Sequence, residues 1–262
     1  MNAYIVGGRL GDFIHTLYVP YMLYKTERIE GDIYLTDSEE YDSVAFQFGL
    51  DRTFAEISAF IKACAPYIRN VYLLEHTVLE KEKYLSVINL NTWRKLAGTC
   101  EWLLLLRDVY KVPIQGDPWC KPPDTWGKPI PEKYAVFHRS LRRHNPSFPW
   151  DTISKQLASV GMKLVFLTCD LEEYMYFPLR HQVQLQLCKD ISEMAQWIHH
   201  SEIMVGNQSA PMALSLSIGK RSIVEVHPDE AGDIIAYANT IMANGEVYCY
   251  LNETCYRRVS SL

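Results

Sequence analysis

The chain has 262 residues, 48% of them hydrophobic and 22% charged, with a net charge of −5 at neutral pH. This is an ordinary globular composition, long enough for one large or two small α/β domains. The acidic balance argues against broad electrostatic binding to nucleic acid, and no apolar run approaches the roughly 20 residues that cross a bilayer.

In chain order, residues 3–6 form a short apolar strand that runs into the turn Gly7-Gly8-Arg9-Leu10-Gly11-Asp12. This opening is not a signal peptide, because its apolar run is short and a polar turn follows it. Residues 13–24 carry apolar and aromatic side chains at helical spacing. A strand at 33–35, a helix at 54–65, strands at 71–74 and 87–90 and a helix at 93–110 follow. Such alternation predicts a parallel sheet with helices on its faces.

Residues 112–132 hold six prolines and two glycines and must be extended or turned. They read as an interdomain connection, with a first domain over 1–120, a proline-rich linker over 121–132 and a second domain over 133–262. The alternation then restarts. Strands are expected at 134–138, 163–168, 183–187, 203–205 and 223–226. Helices are expected at 151–160 and 192–200, with a third from Pro211 to Gly219. The aromatic, cysteine-containing tail 245–262 carries no clear periodicity. The seven cysteines are an odd number with no Cys-x-x-Cys pair, which points to reduced, mostly buried thiols in a cytoplasmic setting and to no zinc site.

Three stretches carry chemistry. In the first, the glycines of the 7–12 turn let the backbone bend sharply and approach a ligand. Asp12 stands near a helix start, either as an N-terminal charge or as a carboxylate presented at the carboxyl end of the first strand, where open α/β sheets bind ligands. Gly11 and His15 belong to the same region, and His15 either shares the cleft or is a partly exposed helix residue. The glycine spacing is not the dinucleotide-binding pattern.

The second stretch, His138-Arg139-Ser140-Leu141-Arg142-Arg143-His144, follows a strand and leads to Phe148-Pro149-Trp150. Planar guanidinium groups at Arg139, Arg142 and Arg143 suit the oxygens of a phosphate, the alternatives being a solvated basic loop or a nucleic-acid contact. The third, Gly206-Asn207-Gln208-Ser209-Ala210-Pro211, links a strand to a helix whose first turn tolerates proline. Its amides, hydroxyl and backbone N–H groups form either a plain helix cap or a site for a diphosphate. Glu225 lies inside an apolar strand, where a carboxylate needs a partner: a ribose hydroxyl, or Arg221 or another basic side chain. His227 ends that strand and borders either the cleft or a turn.

The order of these stretches resembles the GT-B glycosyltransferases, in particular the heptosyltransferase-like family 9 group. The matching places are Leu10-Gly11-Asp12, the basic loop from Arg142 to Trp150, and Gly206-Asn207-Gln208-Ser209-Ala210-Pro211-Met212-Ala213. The Gly-Asn-Gln-Ser form is similar to glycosyltransferase-like proteins that also occur in viral and phage genomes. The resemblance implies an α/β fold of GT-B type, two Rossmann-like domains with parallel sheets facing a cleft. The second domain would hold a nucleotide-sugar donor and the first a hydroxyl acceptor, either a glycan or a hydroxymethylated DNA base. It implies Asp12 as general base, Asn207, Gln208 and Ser209 at the donor diphosphate, and Arg142 or Arg143 as the phosphate-neutralising residue; no aspartate-rich metal motif stands out in the sequence, so a reaction with no metal and no further cofactor is expected. Gln208, Ala210 and Ala213 stand where the family has aspartate, glycine and histidine, which implies a different donor sugar or a loss of activity. An epimerase or hydrolase on the same fold, and a non-catalytic nucleotide-binding module, are the rival readings.

Overall fold

A computed structural model describes residues 1–41, 50–92, 102–113, 117–227, 247–250 and 256–259. The first half builds a four-stranded parallel sheet from β1 (Asn2–Val6), β2 (Gly31–Leu35), β3 (Ile68–Leu73) and β4 (Val87–Asn89), in the order β3-β2-β1-β4. Its helices are α1 (Leu10–Thr16), α2 (Tyr18–Glu27), α3 (Leu50–Cys64) and α4 (Trp102–Tyr110). The second half builds a seven-stranded sheet from β5 (Tyr134–His138), β6 (Lys163–Thr168), β7 (Gln184–Leu187), β8 (Ile203–Asn207), β9 (Ser222–Glu225), β10 (Val247–Tyr250) and β11 (Tyr256–Val259). The order is β11-β10-β9-β8-β5-β6-β7, parallel throughout except for β11. Its helices are α5 (Trp150–Ser159), α6 (Leu171–Met175), α7 (Ile191–His200) and α8 (Ala210–Ile218). The expected α/β architecture with two parallel sheets is therefore present.

Strand alternation sets the layers. In β1, Tyr4 and Val6 join the main core while Ala3 and Ile5 face the opposite side with Tyr34. In β5, Tyr134 and Val136 join that same main core, and Ala135 and Phe137 pack with Phe166, Phe177 and Trp150 beyond the second sheet. One continuous core thus joins the two halves through the helices between the sheets: α1 packs on α8 and α3 on α7.

Details differ from the sequence reading for physical reasons. The helix expected over 13–24 is two helices that meet at Leu17, because Pro20 lacks the N–H that would continue the ladder to Thr16. The short α6 was not expected, and β10 and β11 lie in the unassigned tail. Of the helix expected over 93–110, residues 93–101 lie outside the described residues, as do 114–116 of the proline-rich stretch, Pro228, and 245–246, 251–255 and 260–262 of the tail.

The described part of the proline-rich stretch has no helix or strand, yet it is packed rather than loose. Trp119 and Cys120 are both buried, and both their N–H groups donate to Ser217 O of α8 at 3.0 Å. The Trp119 indole donates to Ile14 O of α1 at 2.7 Å, and Trp119 O accepts from Tyr67 Oη at 2.7 Å. Further along, His200 Nε2 lies 2.7 Å from Trp126 O, and Gln196 Nε2 donates to Gly127 O at 2.8 Å. Residues 117–127 therefore strap both halves together. Burial pushes the Cys64 and Cys120 thiols up, Cys120 to about 12, so neither is a ready nucleophile.

Candidate active site

The central strands of both sheets deliver their carboxyl ends to the place where α1 meets α8. The turn after β1 leads into α1, and the turn after β8 leads into α8. At their contact a Cβ on Gly11 would lie 3.5 Å from the Ala210 backbone, so the two helix starts touch with only small residues between them. In the first turn, Gly8 has φ of 95°, a conformation open to glycine, and Gly7 N–H donates to Asn91 Oδ1 at 2.9 Å. Asp12 sits one turn before His15 on α1, and both are mostly buried with some surface left exposed.

The charge of the second half's arginine loop acts on this helix. Burial, with the Arg143 guanidinium as a second cause, holds His15 down at about 3, so its imidazole is neutral at physiological pH. Arg142 and Arg143 are exposed, and Arg143 has φ of 60°, an uncommon conformation for a side chain of its size. The structure thus sets Gly11, Asp12 and His15 on one helix at the contact with α8, and the Arg143 charge of the other half acts on His15.

Arg139 and Glu225 do not join them. Arg139 forks onto Glu225, Nη2 to Oε1 at 2.6 Å and Nε to Oε2 at 2.9 Å, and its guanidinium lies 5.7 Å over the Trp150 ring. Glu225 is wholly buried and also accepts from Asn145 N–H at 2.8 Å. The expectation that Arg139 and Glu225 face the donor is corrected here: an enclosed carboxylate must be paired, and the nearest fork meets that need. Of the partners weighed for Glu225, the basic side chain is the one present.

Asn207 and Gln208 are corrected in the same way. Asn207 is fully buried at the end of β8. Its Oδ1 accepts from Ser140 N–H at 3.0 Å, and its Nδ2 donates to Ser140 Oγ at 3.0 Å and Arg142 O at 2.5 Å. Gln208 Oε1 accepts from His227 N–H at 2.8 Å. Both amide side chains hold loops and are not displayed to a ligand. Ser209 is half-buried at the start of α8; its hydroxyl donates to Asn207 O at 3.1 Å and does not cap the helix by accepting from one of its N–H groups. The turn therefore offers an anion its backbone N–H groups, beside Arg142 and Arg143.

Sequence reasoning missed Asn91 and Asn145. Asn145 Nδ2 donates to Val226 O at 3.0 Å and fixes the far end of the arginine loop. The Asn-Pro pair was a local turn signal for it. Asn91 acts on Gly7 across 84 positions of sequence, and nothing local marks it. Among the described residues, no group of three His, Cys, Asp or Glu is placed to hold a metal ion, and no helix is long and apolar enough to cross a membrane.

No protein-family model matches the chain, and no curated protein matches its sequence. Solved structures do. A family 9 glycosyl transferase from Veillonella parvula DSM 2008 is 14% identical with a TM-score of 0.55, over 100% of this chain and 93% of that one. The E. coli heptosyltransferase WaaC with ADP is 15% identical with a TM-score of 0.58, over 95% of this chain and 93% of that one. The E. coli ADP-heptose heptosyltransferase II for lipopolysaccharide is 10% identical with a TM-score of 0.57, over 94% and 90%. At these identities the likeness shows the fold, which is that of the GT-B heptosyltransferases.

Proposed function

We propose that this chain is a glycosyltransferase that moves a sugar from a nucleotide-sugar donor to a hydroxyl acceptor without a metal ion. The observation that carries the reading is the contact of the start of α1, which carries Asp12 and His15, with the start of α8 of the opposite half, at the carboxyl ends of both central strands. The fold supports it, and one similar structure is a heptosyltransferase with ADP.

In this reading the donor diphosphate lies against Arg142, Arg143 and the backbone N–H groups at the start of α8. Asp12 accepts the proton of the attacking hydroxyl. The acceptor oxygen bonds to the anomeric carbon as the bond to the diphosphate oxygen breaks, and the guanidinium and N–H groups take up the charge on the leaving diphosphate. Asn207 serves by gripping Ser140 and Arg142, so the arginines arrive in a fixed place before the ligand does. His15, neutral beside Arg143, adds hydrogen-bonding capacity without adding charge.

Calorimetric titration with a panel of nucleoside diphosphates and nucleotide sugars tests the donor site. At least one nucleotide is expected to bind wild-type protein, and the Arg142→Ala/Arg143→Ala variant should bind it about tenfold or more weakly, the loss of one or two charge-assisted hydrogen bonds. Equal affinity in the two proteins would remove the arginine loop from the donor site.

A further inference from the structure

Two cysteines stand side by side at the carboxyl rim of the second sheet. β6 and β7 pair in parallel up to Thr168 opposite Leu187. The ladder runs one step further, because Cys188 N–H donates to Thr168 O at 2.7 Å. Cys169 and Cys188 are the next residues on the two strands. Their side chains share a face. Val165 and Leu167 of β6 join the main core and Phe166 the opposite cluster, so alternation turns Cys169 to the main-core side, where Cys188 lies. Neighbouring strands run about 4.8 Å apart, inside the range of roughly 4.4–6.8 Å between Cα atoms that a disulfide spans.

Both chains are held at this point. Asp170 follows Cys169, donates its N–H to Thr168 Oγ1 at 2.9 Å, and caps α6 by accepting from Glu172 N–H at 2.9 Å. Beyond Cys188, Lys189 N–H donates to Glu193 Oε2 at 2.9 Å, and Asp190 caps α7 by accepting from Glu193 N–H at 2.8 Å. The two sulfurs differ in access: Cys169 is exposed, and Cys188 is 4% exposed. Burial, with Cys169 as a second cause, pushes the Cys188 thiol up, so the outer thiol meets an oxidant first. Cys64 and Cys120 also lie near each other, but both are buried, and neither offers a first point of attack.

We propose that Cys169 and Cys188 are a reversible oxidation site, closed to a disulfide by a peroxide and reopened by a dithiol. The Cys169 sulfur attacks one peroxide oxygen, the O–O bond breaks, and the other oxygen leaves as water with the thiol proton, which makes a sulfenic acid. The Cys188 sulfur then bonds to the Cys169 sulfur as the S–O bond breaks, and the Cys188 proton leaves with that oxygen in a second water. Two thiols are oxidised and one peroxide is reduced. The bond draws together the loops that enter α6 and α7, on the face turned to the first half. β6 lies directly beside β5, whose loop carries Arg142 and Arg143, so the bond narrows the crevice that receives the donor. This effect on the donor rests on the transferase reading; the bond itself does not.

Peptide mapping of the full chain tests the bond. The reduced, desalted protein is treated with hydrogen peroxide, blocked with an alkylating reagent and digested. Trypsin cuts after Lys163, Arg180 and Lys189, so the bond joins peptides 164–180 and 181–189. That linked peptide is expected in oxidised wild type, and it should vanish with dithiothreitol and in Cys169→Ser, a change at an exposed position. In Cys188→Ala, Cys169 should instead accumulate as a sulfenic acid that dimedone traps. No linked peptide in excess peroxide, or linkage of either cysteine to a different partner, overturns the proposal. Titration of the oxidised and reduced forms with nucleoside diphosphates and nucleotide sugars tests the consequence. Oxidised wild type should bind the best nucleotide at least fivefold more weakly, with Cys169→Ser indifferent to peroxide. A mapped bond with equal nucleotide affinity in both forms overturns the effect on the donor. A mapped bond in a protein that binds no nucleotide in either form upholds the oxidation site and overturns the donor reading instead.

Discussion

Glu225 shows how far a single residue can be read. A carboxylate within Ile-Val-Glu-Val demands a partner, and that demand is legible in the sequence. The identity of the partner is not, because Arg139 lies 86 positions away and only the parallel pairing of β5, β8 and β9 brings it near. Asn207 follows the same logic: its type suits a phosphate turn, but at full burial its donors and acceptor are better engaged by Ser140 and Arg142. His15 yields a measurable consequence. Its imidazole titrates near 6.5 in the unfolded chain and near 3 in the fold, so the unfolded state binds the extra proton between those values. The stability it contributes is complete above pH 6.5 and is lost as pH falls toward 3. Carboxylates titrate in the same window, so the comparison is with His15→Gln. The unfolding free energy of wild type minus that of the variant should fall between pH 7 and pH 4, and a flat difference would contradict the assignment.

At the scale of elements, most strands and helices were visible because each half buries both faces of its sheet and therefore reads as short, continuous apolar runs bounded by polar turns. The boundaries that moved did so for local reasons, as at Pro20. The arginine loop was legible as basic but not as rigid, since its rigidity comes from Asn145 and Asn207 at its two ends. Gly206 belongs to this scale. It pairs with His138, and a Cβ there would come within 2.6 Å of His138 O, so only glycine lets β8 lie against β5 at the point where both deliver their loops. Gly206→Ala should destabilise the protein by roughly 1–3 kcal/mol in urea unfolding. Gly127→Ala, where a Cβ meets nothing within 4 Å, should stay within about 0.5 kcal/mol of wild type. Equal stabilities of the two variants would mean that β5 and β8 tolerate a wider approach.

The whole molecule is two parallel sheets joined by a shared core and by the Trp119 strap, with α1 and α8 start to start between them. The repeated alternation of strands and helices announced two α/β halves. It did not announce that the proline-rich stretch is packed, because prolines report only the loss of regular hydrogen bonding and not what the intervening tryptophans bury. In the proposed reading this arrangement brings the start of α1, which carries Asp12, against the start of α8. The most direct measurement is transfer itself, with wild type and Asp12→Asn assayed on a matrix of nucleotide sugars and hydroxyl acceptors. A transfer product is expected from wild type, with turnover reduced by about 10²–10⁴ in Asp12→Asn at unchanged donor affinity, the share a positioned general base supplies. Undiminished turnover in Asp12→Asn, or donors that bind wild type and yield no product with any acceptor, would contradict it.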